Sequence, residues 1–322
     1  METVVQFLIL ILGLMLILWG ANWLVDGSSS IARKKGISEF VIGLTIVGIG
    51  TSTPEMVVSF ISSFQGKADM AIGNVVGSNI FNVLMILGIT ALISPLTITK
   101  DNLRRDLPLN LIVTILLIIM GLKNTIFGFG TNEISRADGA IMLVIFLTYL
   151  WKSFKKGKTA EAEDTDETVR TFTTGRSVFM IIAGLAGLIA GGRAFVDSAT
   201  AIATTLNLSE KFIAITIMAA GTSLPELATC VVAARKGHGQ LALGNVIGSN
   251  ISNILLILGG AALIHPLSFS GISYVDMTVL ALTCLVLLIS AYTFSKGRLD
   301  RKEGILLLLI EVLYMVWLFI NA

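Results

Sequence analysis

The sequence is short of charge. Asp, Glu, Lys and Arg make up 14% of its 322 residues, against roughly 25% in soluble domains. That excludes a solvated globular enzyme. A disordered chain is excluded too, because apolar residues reach 54%. The net charge of +2 leaves no basic surface to neutralise a phosphate backbone, so no nucleic-acid partner is expected. The two cysteines, Cys230 and Cys284, sit in apolar runs, which excludes a disulfide scaffold and a thiolate metal cluster. The two histidines, His238 and His265, fall at span ends or in loops. A serine nucleophile would therefore lack its base, and no HExxH zinc motif appears. Neither an enzyme nor a resident cofactor is expected.

What is abundant is apolar length. A bilayer core about 30 Å thick needs roughly 20 apolar residues per helix. Ten segments qualify: 4–25, 38–64, 70–93, 107–122, 137–151, 177–204, 211–234, 240–264, 273–293 and 304–321. The expected fold is an all-α integral membrane protein in the lipid bilayer. The first segment does not read as a cleaved signal, since Glu2 precedes it and no small-residue cleavage site follows. Eighteen of the 23 Lys and Arg residues fall in loops of one side, four in loops of the other, and Arg193 within a span. By the positive-inside rule the basic loops face the cytoplasm and both termini face outward. The stretch 152–176, with the acidic run 161–167, reads as a solvated cytoplasmic linker.

Residues 41–95 match 212–266 without gaps at a constant offset of 171, with 26 identities in 55 positions. GTSTPE at 50–55 answers GTSLPE at 221–226, and GNVVGSNIFN at 73–82 answers GNVIGSNISN at 244–253. Asp26 and Asp197 share the same offset. The chain thus divides into a five-helix half at 1–151, the linker, and a second five-helix half at 177–322. Five is odd, so the second half enters from the opposite side and the two are inverted-topology repeats. Such repeats, with Gly/Pro-interrupted spans at matching positions, mark secondary transporters whose site lies near the midplane.

Glu55 and Glu226 lie inside those interrupted spans, which hold no Lys or Arg beyond Lys211 at the first position of 211–234. An intramembrane carboxylate costs about 3 kcal/mol on insertion scales, so a cation from water or a proton must accompany it. Pro54 and Pro225 precede the glutamates and interrupt the helix there, crowding the carbonyl of Gly50 or Gly221. Thr51 with Glu55, and Thr222 with Glu226, share faces four residues apart. Ser78 with Asn82, and Ser249 with Asn253, form polar stripes that Asn74 and Asn245 extend, while Asn79 and Asn250 point elsewhere, toward helix contacts. Carboxylates, hydroxyls, amides and carbonyls without imidazole or thiolate make a set for hard cations such as Ca²⁺.

These paired blocks resemble the alpha repeats of the sodium/calcium exchanger family, within the cation/calcium antiporter superfamily, in its prokaryotic ten-helix type. The resemblance implies a Na⁺/Ca²⁺ antiporter working by alternating access as a monomer, with Na⁺ and Ca²⁺ as substrates. Several Na⁺ per Ca²⁺ would make the cycle electrogenic, in the direction of Ca²⁺ export. It implies that Glu55 and Glu226 serve both ions and that Thr51 and Thr222 join them at Ca²⁺. Ser52, Ser78 and the Gly48 carbonyl would form one Na⁺ site; Ser223, Ser249 and the Ala219 carbonyl would form another. Asn82 and Asn253 would line the middle. Some relatives, including the potassium-dependent branch, carry Asp where this chain has Asn253, which argues against K⁺ co-transport. Spans one and six would slide across the rest, and GLAGLIAGG at 184–192 suits either that sliding face or ordinary close packing. An H⁺/Ca²⁺ antiporter and a passive cation channel are the competing readings.

Elsewhere, His238 and His265 read as surface residues, Arg193 reads as an ion-pair partner of Asp197, and Glu311 has no repeat counterpart. Trp19, Trp23 and Trp317 suit interface or packing positions.

Overall fold

The computed structural model describes residues 2–128, 130–157, 171–206, 221–269, 272–293 and 297–321. Nearly all are helical. The helices are α1 (Glu2–Lys35), α2 (Glu39–Thr51), α3 (Thr53–Phe64), α4 (Ala68–Ile93), α5 (Leu107–Gly121) and α6 (Lys123–Phe127). They continue as α7 (Arg136–Gly157), α8 (Thr174–Thr205), α9 (Leu224–Arg235), α10 (Gly239–Ile264), α11 (Tyr274–Thr293) and α12 (Arg301–Asn321).

Seven of them, α1, α4, α7, α8, α10, α11 and α12, are each long and apolar enough to cross a bilayer. Helices α2 and α3, bent by 48° at their junction, are together long and apolar enough for one more crossing. Two expected spans differ in form. The span 107–122 appears as α5, only 15 residues long and extended at its start by a π-helical turn at Asn102–Asp106. The span 211–234 is described only from Gly221 onward, as α9; residues 211–220 lie outside the described residues, as does the acidic run 161–167.

The burial pattern is inside-out. Leu8, Leu12, Met15, Leu147, Leu309 and Leu313 are exposed, as lipid-facing residues are, whereas Ser28, Ser59, Asn79, Asn82, Ser249 and Asn250 are buried. Polar side chains in a bilayer turn inward because hydrocarbon offers them no hydrogen bond.

Small residues set the helix seams. Helices α1 and α8 cross antiparallel: a Cβ on Gly20 would stand 2.6 Å from the Gly184 carbonyl, and one on Gly13 2.9 Å from that of Gly191. Gly184 and Gly191 pack α8 closely on α1, whereas Gly192 faces Pro225 at the start of α9. Trp19, beside Trp23 (ring centroids 4.4 Å apart), packs on Gly187 in the same seam. A second seam joins α2 to α10, where a Cβ on Gly248 would meet the Leu44 carbonyl and one on Gly244 the Phe40 carbonyl, both at 2.2 Å.

The loops sort into two groups. Strand β1 (Leu96–Thr97) pairs with β4 (Arg298–Leu299), and β2 (Glu133–Ile134) pairs with β3 (Leu267–Ser268). Lys236 Nζ meets Asp26 Oδ1 at 2.7 Å, and Gln240 Nε2 donates to the Thr97 carbonyl. Arg136 Nε donates to the Leu263 carbonyl at 3.2 Å. Each of these contacts joins loops that the Lys/Arg distribution assigns to the same side. Arg193 and Asp197 do pair, at 3.7 Å, and both are highly exposed. His265 is exposed. His238 corrects the surface reading: it is buried at the N-cap of α10, with Nδ1 2.7 Å from Glu39 Oε1. The start of α2 brings that carboxylate opposite the ring, a tertiary contact that local sequence does not signal.

Candidate ion site between two helix breaks

The site is built on two interruptions. Ser52 (φ −76°, ψ 10°) separates α2 from α3, and Ser223 (φ −91°, ψ 6°) stands immediately before α9. Pro54 and Pro225 occupy the first turn beyond each break, where a missing N–H costs no helical bond. The Gly50 carbonyl, crowded by Pro54, accepts the Thr53 hydroxyl at 2.7 Å. Glu55 and Glu226 fall in the first turns of α3 and α9. A helix N-terminus carries partial positive charge, which favours a carboxylate there.

Both glutamates are 1% exposed, and among the described residues no charged side chain bonds them. Ser52 Oγ donates to Glu226 Oε1 at 3.1 Å, and Ser223 Oγ donates to Glu55 Oε1 at 3.2 Å. Those two bonds are images of each other at the 171-residue offset. Ser78 Oγ also donates to Glu55 Oε1, at 3.4 Å. Ser249 Oγ donates to the Gly48 carbonyl at 3.2 Å. Thr51 interacts with Glu226 and Thr222 with Glu55.

The grouping of serines therefore differs from the one the resemblance implies. Ser78 joins Ser223 and Glu55, not Ser52. Ser249 joins Gly48, whose own break carries Ser52 and through it Glu226. The breaks meet across the boundary between the halves: Ser78 serves its own half's Glu55 together with Ser223 of the opposite break. Ala219 lies outside the described residues.

Asn82 and Asn253 close the middle. Asn82 Nδ2 donates to Asn250 Oδ1 and Asn253 Nδ2 to Asn79 Oδ1, each at 3.0 Å. Asn79 and Asn250 in turn donate to each other's backbone carbonyls at 3.1 and 3.3 Å. Asn79 and Asn250 thus make the helix contacts expected of them and, in addition, aim the two middle amides. Both middle asparagines begin π-helical turns, Asn82–Ile86 and Asn253–Leu258.

Four oxygens remain. Glu55 Oε2, Glu226 Oε2, Asn82 Oδ1 and Asn253 Oδ1 are buried with no hydrogen-bond partner among the described residues. Buried polar atoms are normally satisfied, and an unaccompanied pair of carboxylates cannot stay charged in a low-dielectric interior. The four form two offset-related pairs, and all are hard acceptors suited to Na⁺ or Ca²⁺. Among the described residues no group of three or more His, Cys, Asp and Glu side chains gathers, so these two acids stand without a transition-metal ligand set.

Comparison with known proteins agrees. The sequence model described as "Sodium/calcium exchanger protein" matches residues 5–155 and 176–320. The chain belongs to the sodium/calcium exchanger family. Among its relatives in that family, Sodium/calcium exchanger MaX1 of Methanosarcina acetivorans is 36% identical, over 98% of this chain and 99% of the relative. A "Putative antiporter CaxA" of Alkalimonas amylolytica is also 36% identical, over 98% and 99%. A solved structure of the sodium-calcium exchanger NCX_Mj, soaked with 10 mM Na⁺ and zero Ca²⁺, superposes with a TM-score of 0.84 at 35% identity, covering 98% of this chain and 99% of that one. As a member of the exchanger family this chain is a multi-pass membrane protein.

Ser59 and Cys230 were not legible as site residues. Each lies one helical turn beyond its glutamate, on the same face. That spacing was the available signal.

Proposed function

We propose that this exchanger is a Na⁺/Ca²⁺ antiporter that uses one pair of carboxylates for both ions in turn. The four unpartnered oxygens of Glu55, Glu226, Asn82 and Asn253 carry the reading. Ca²⁺ binds against Glu55, Glu226, Thr51 and Thr222, and the two carboxylate charges balance it. Asn82 and Asn253 line the middle position, where water or a proton is handled. Na⁺ takes the flanks: Ser52, Ser249, the Gly48 carbonyl and Glu226 on one side, and Ser78, Ser223, the Ala219 carbonyl and Glu55 on the other. Because the ions share carboxylates, loading one set expels the other, and that competition is the coupling.

The 171-residue repeat, its reciprocal bonds and the antiparallel crossing of α1 with α8 favour ten spans in two inverted halves, with outward termini and a cytoplasmic linker. Packed on each other through glycine, α1 and α8 move as one unit, opening the site to each side alternately. Exchange of several Na⁺ for one Ca²⁺ is electrogenic, K⁺-independent because both middle positions are amides, and exports Ca²⁺.

Proteoliposomes test this. An outward-directed Na⁺ gradient should drive ⁴⁵Ca²⁺ uptake that an inside-positive membrane potential accelerates. Uptake indifferent to Na⁺ and driven by a pH gradient would replace this reading with H⁺/Ca²⁺ antiport, and current without a counter-ion would make it a channel.

A further inference from the structure

Behind the ion site lies a chain of buried hydrogen bonds that occurs in two unequal versions. On one side Asn245 Nδ2 donates to Cys230 Sγ at 3.2 Å, and Asn245 Oδ1 accepts from Thr51 Oγ1 at 3.1 Å. Cys230 Sγ donates to the Ala242 carbonyl at 3.5 Å. The offset positions are Ser59, Asn74 and Ala71. There Asn74 Nδ2 donates to Ser59 Oγ at 3.0 Å and Ser59 Oγ to the Ala71 carbonyl at 3.4 Å. Asn74, however, spends its remaining contact on the Glu55 backbone carbonyl, with Nδ2 at 3.1 Å. Asn245, Cys230 and Thr51 are all fully buried.

A hydroxyl has one proton and two lone pairs. To serve a cation it must send the proton elsewhere. Thr51 Oγ1 lies near Glu226 and within hydrogen-bond distance of two further acceptors, Asn245 Oδ1 at 3.1 Å and the Gly48 carbonyl at 3.4 Å. The first lies behind the site; the second is itself a candidate ion ligand. Asn245 takes the Thr51 proton and leaves the Thr51 lone pairs free for the ion, while the Gly48 carbonyl accepts from Ser249 Oγ at 3.2 Å. Its orientation is fixed by Cys230, since the amide nitrogen has the sulfur as its acceptor.

We infer that Asn245 is a positioning residue, oriented by Cys230, that turns the lone pairs of Thr51 toward the ion and so makes the two ends of the site unequal. This rests on the exchanger reading for the identity of the ion. Thr222 receives no such bond from Asn74, which makes the second half an internal control.

The test is equilibrium ⁴⁵Ca²⁺ binding to the purified full-length protein, with thermal stability measured alongside. Asn245→Ala should weaken Ca²⁺ binding about tenfold, and Thr51→Ala by a similar factor. The double variant should be no weaker than either single one, because both remove the same ligand geometry. Asn74→Ala combined with Thr222→Ala should be additive. Cys230→Ser should bind as the unaltered protein does, whereas Cys230→Ala should weaken binding, because its amide nitrogen loses its acceptor. Additive losses for Asn245 and Thr51, or Cys230→Ala indistinguishable from Cys230→Ser, would overturn the assignment. If the unaltered protein binds Ca²⁺ but shows no Na⁺-driven flux in vesicles, the exchanger reading fails while the positioning role is still decided by the cycle.

Discussion

Ser52 and Glu226 are separated by 174 residues of chain and joined by a 3.1 Å hydrogen bond. The hydroxyl comes from the break between α2 and α3, the carboxylate from the first turn of α9. Its image, Ser223 to Glu55 at 3.2 Å, runs the other way. Neither half can assemble an ion site alone, since each carboxylate is addressed by the other half's break.

Glu55→Gln and Glu226→Gln should each remove Ca²⁺ binding and transport. An amide keeps the size and hydrogen bonds of the carboxyl but not its charge. A loss on the order of 100-fold, equivalent to about 3 kcal/mol, is expected in ⁴⁵Ca²⁺ binding for either variant, with the purified protein still monodisperse. Retention of normal affinity in either variant would show that its carboxylate is not a ligand.

The serine grouping makes a separate prediction. Ser78 and Ser223 both donate to Glu55 Oε1, so Ser78→Ala and Ser223→Ala should be non-additive in the apparent Km for Na⁺. Ser78→Ala and Ser52→Ala, which serve different carboxylates, should add. Sites more than about 7–10 Å apart without shared partners generally do. Vesicle flux at graded Na⁺ concentrations measures both pairs.

The seam of α1 and α8 is the third target. Gly20→Leu would drive a side chain into the Gly184 carbonyl, 2.6 Å from the position of a Cβ. Overpacking typically costs about 1–3 kcal/mol. Transport should fall sharply while Ca²⁺ binding in detergent persists, because the substitution overpacks the proposed moving unit and removes no ion ligand. Loss of binding in step with transport would contradict that separation.

At the loop end, Glu39→Gln should leave His238 without its carboxylate and lower thermal stability by about 1–3 kcal/mol, the scale of a buried hydrogen bond to a charged group. Differential scanning fluorimetry reads it, and unchanged stability would show the pair to be incidental.

The sequence carried the site's composition further than its arrangement. Glu55, Glu226 and the stripes at Ser78–Asn82 and Ser249–Asn253 were visible because a carboxylate in an apolar run needs a reason and the 171-residue offset repeats it. Which serine serves which glutamate was not visible, since that depends on how α4 and α10 cross the breaks. His238 was misread for a similar reason: its partner, Glu39, is 199 residues away. Glycine at 184–192 allowed two readings because close packing and sliding ask for the same small residues; Gly184 and Gly191 meet α1, and Gly192 meets Pro225 of α9. Cys230 sits in an apolar run, and its link to Thr51 through Asn245 spans helices that the sequence alone does not bring together. For Glu311, buried with Oε2 unpartnered among the described residues, neither sequence nor structure supplies a role.

Anomalous diffraction from crystals soaked in Sr²⁺, a heavier stand-in for Ca²⁺, bears most directly on shared occupancy. The account predicts one dominant peak between the carboxylates of Glu55 and Glu226, at about 2.3–2.6 Å from their oxygens, that fades as Na⁺ is raised. A peak elsewhere, or one between the glutamates that Na⁺ does not displace, would contradict it.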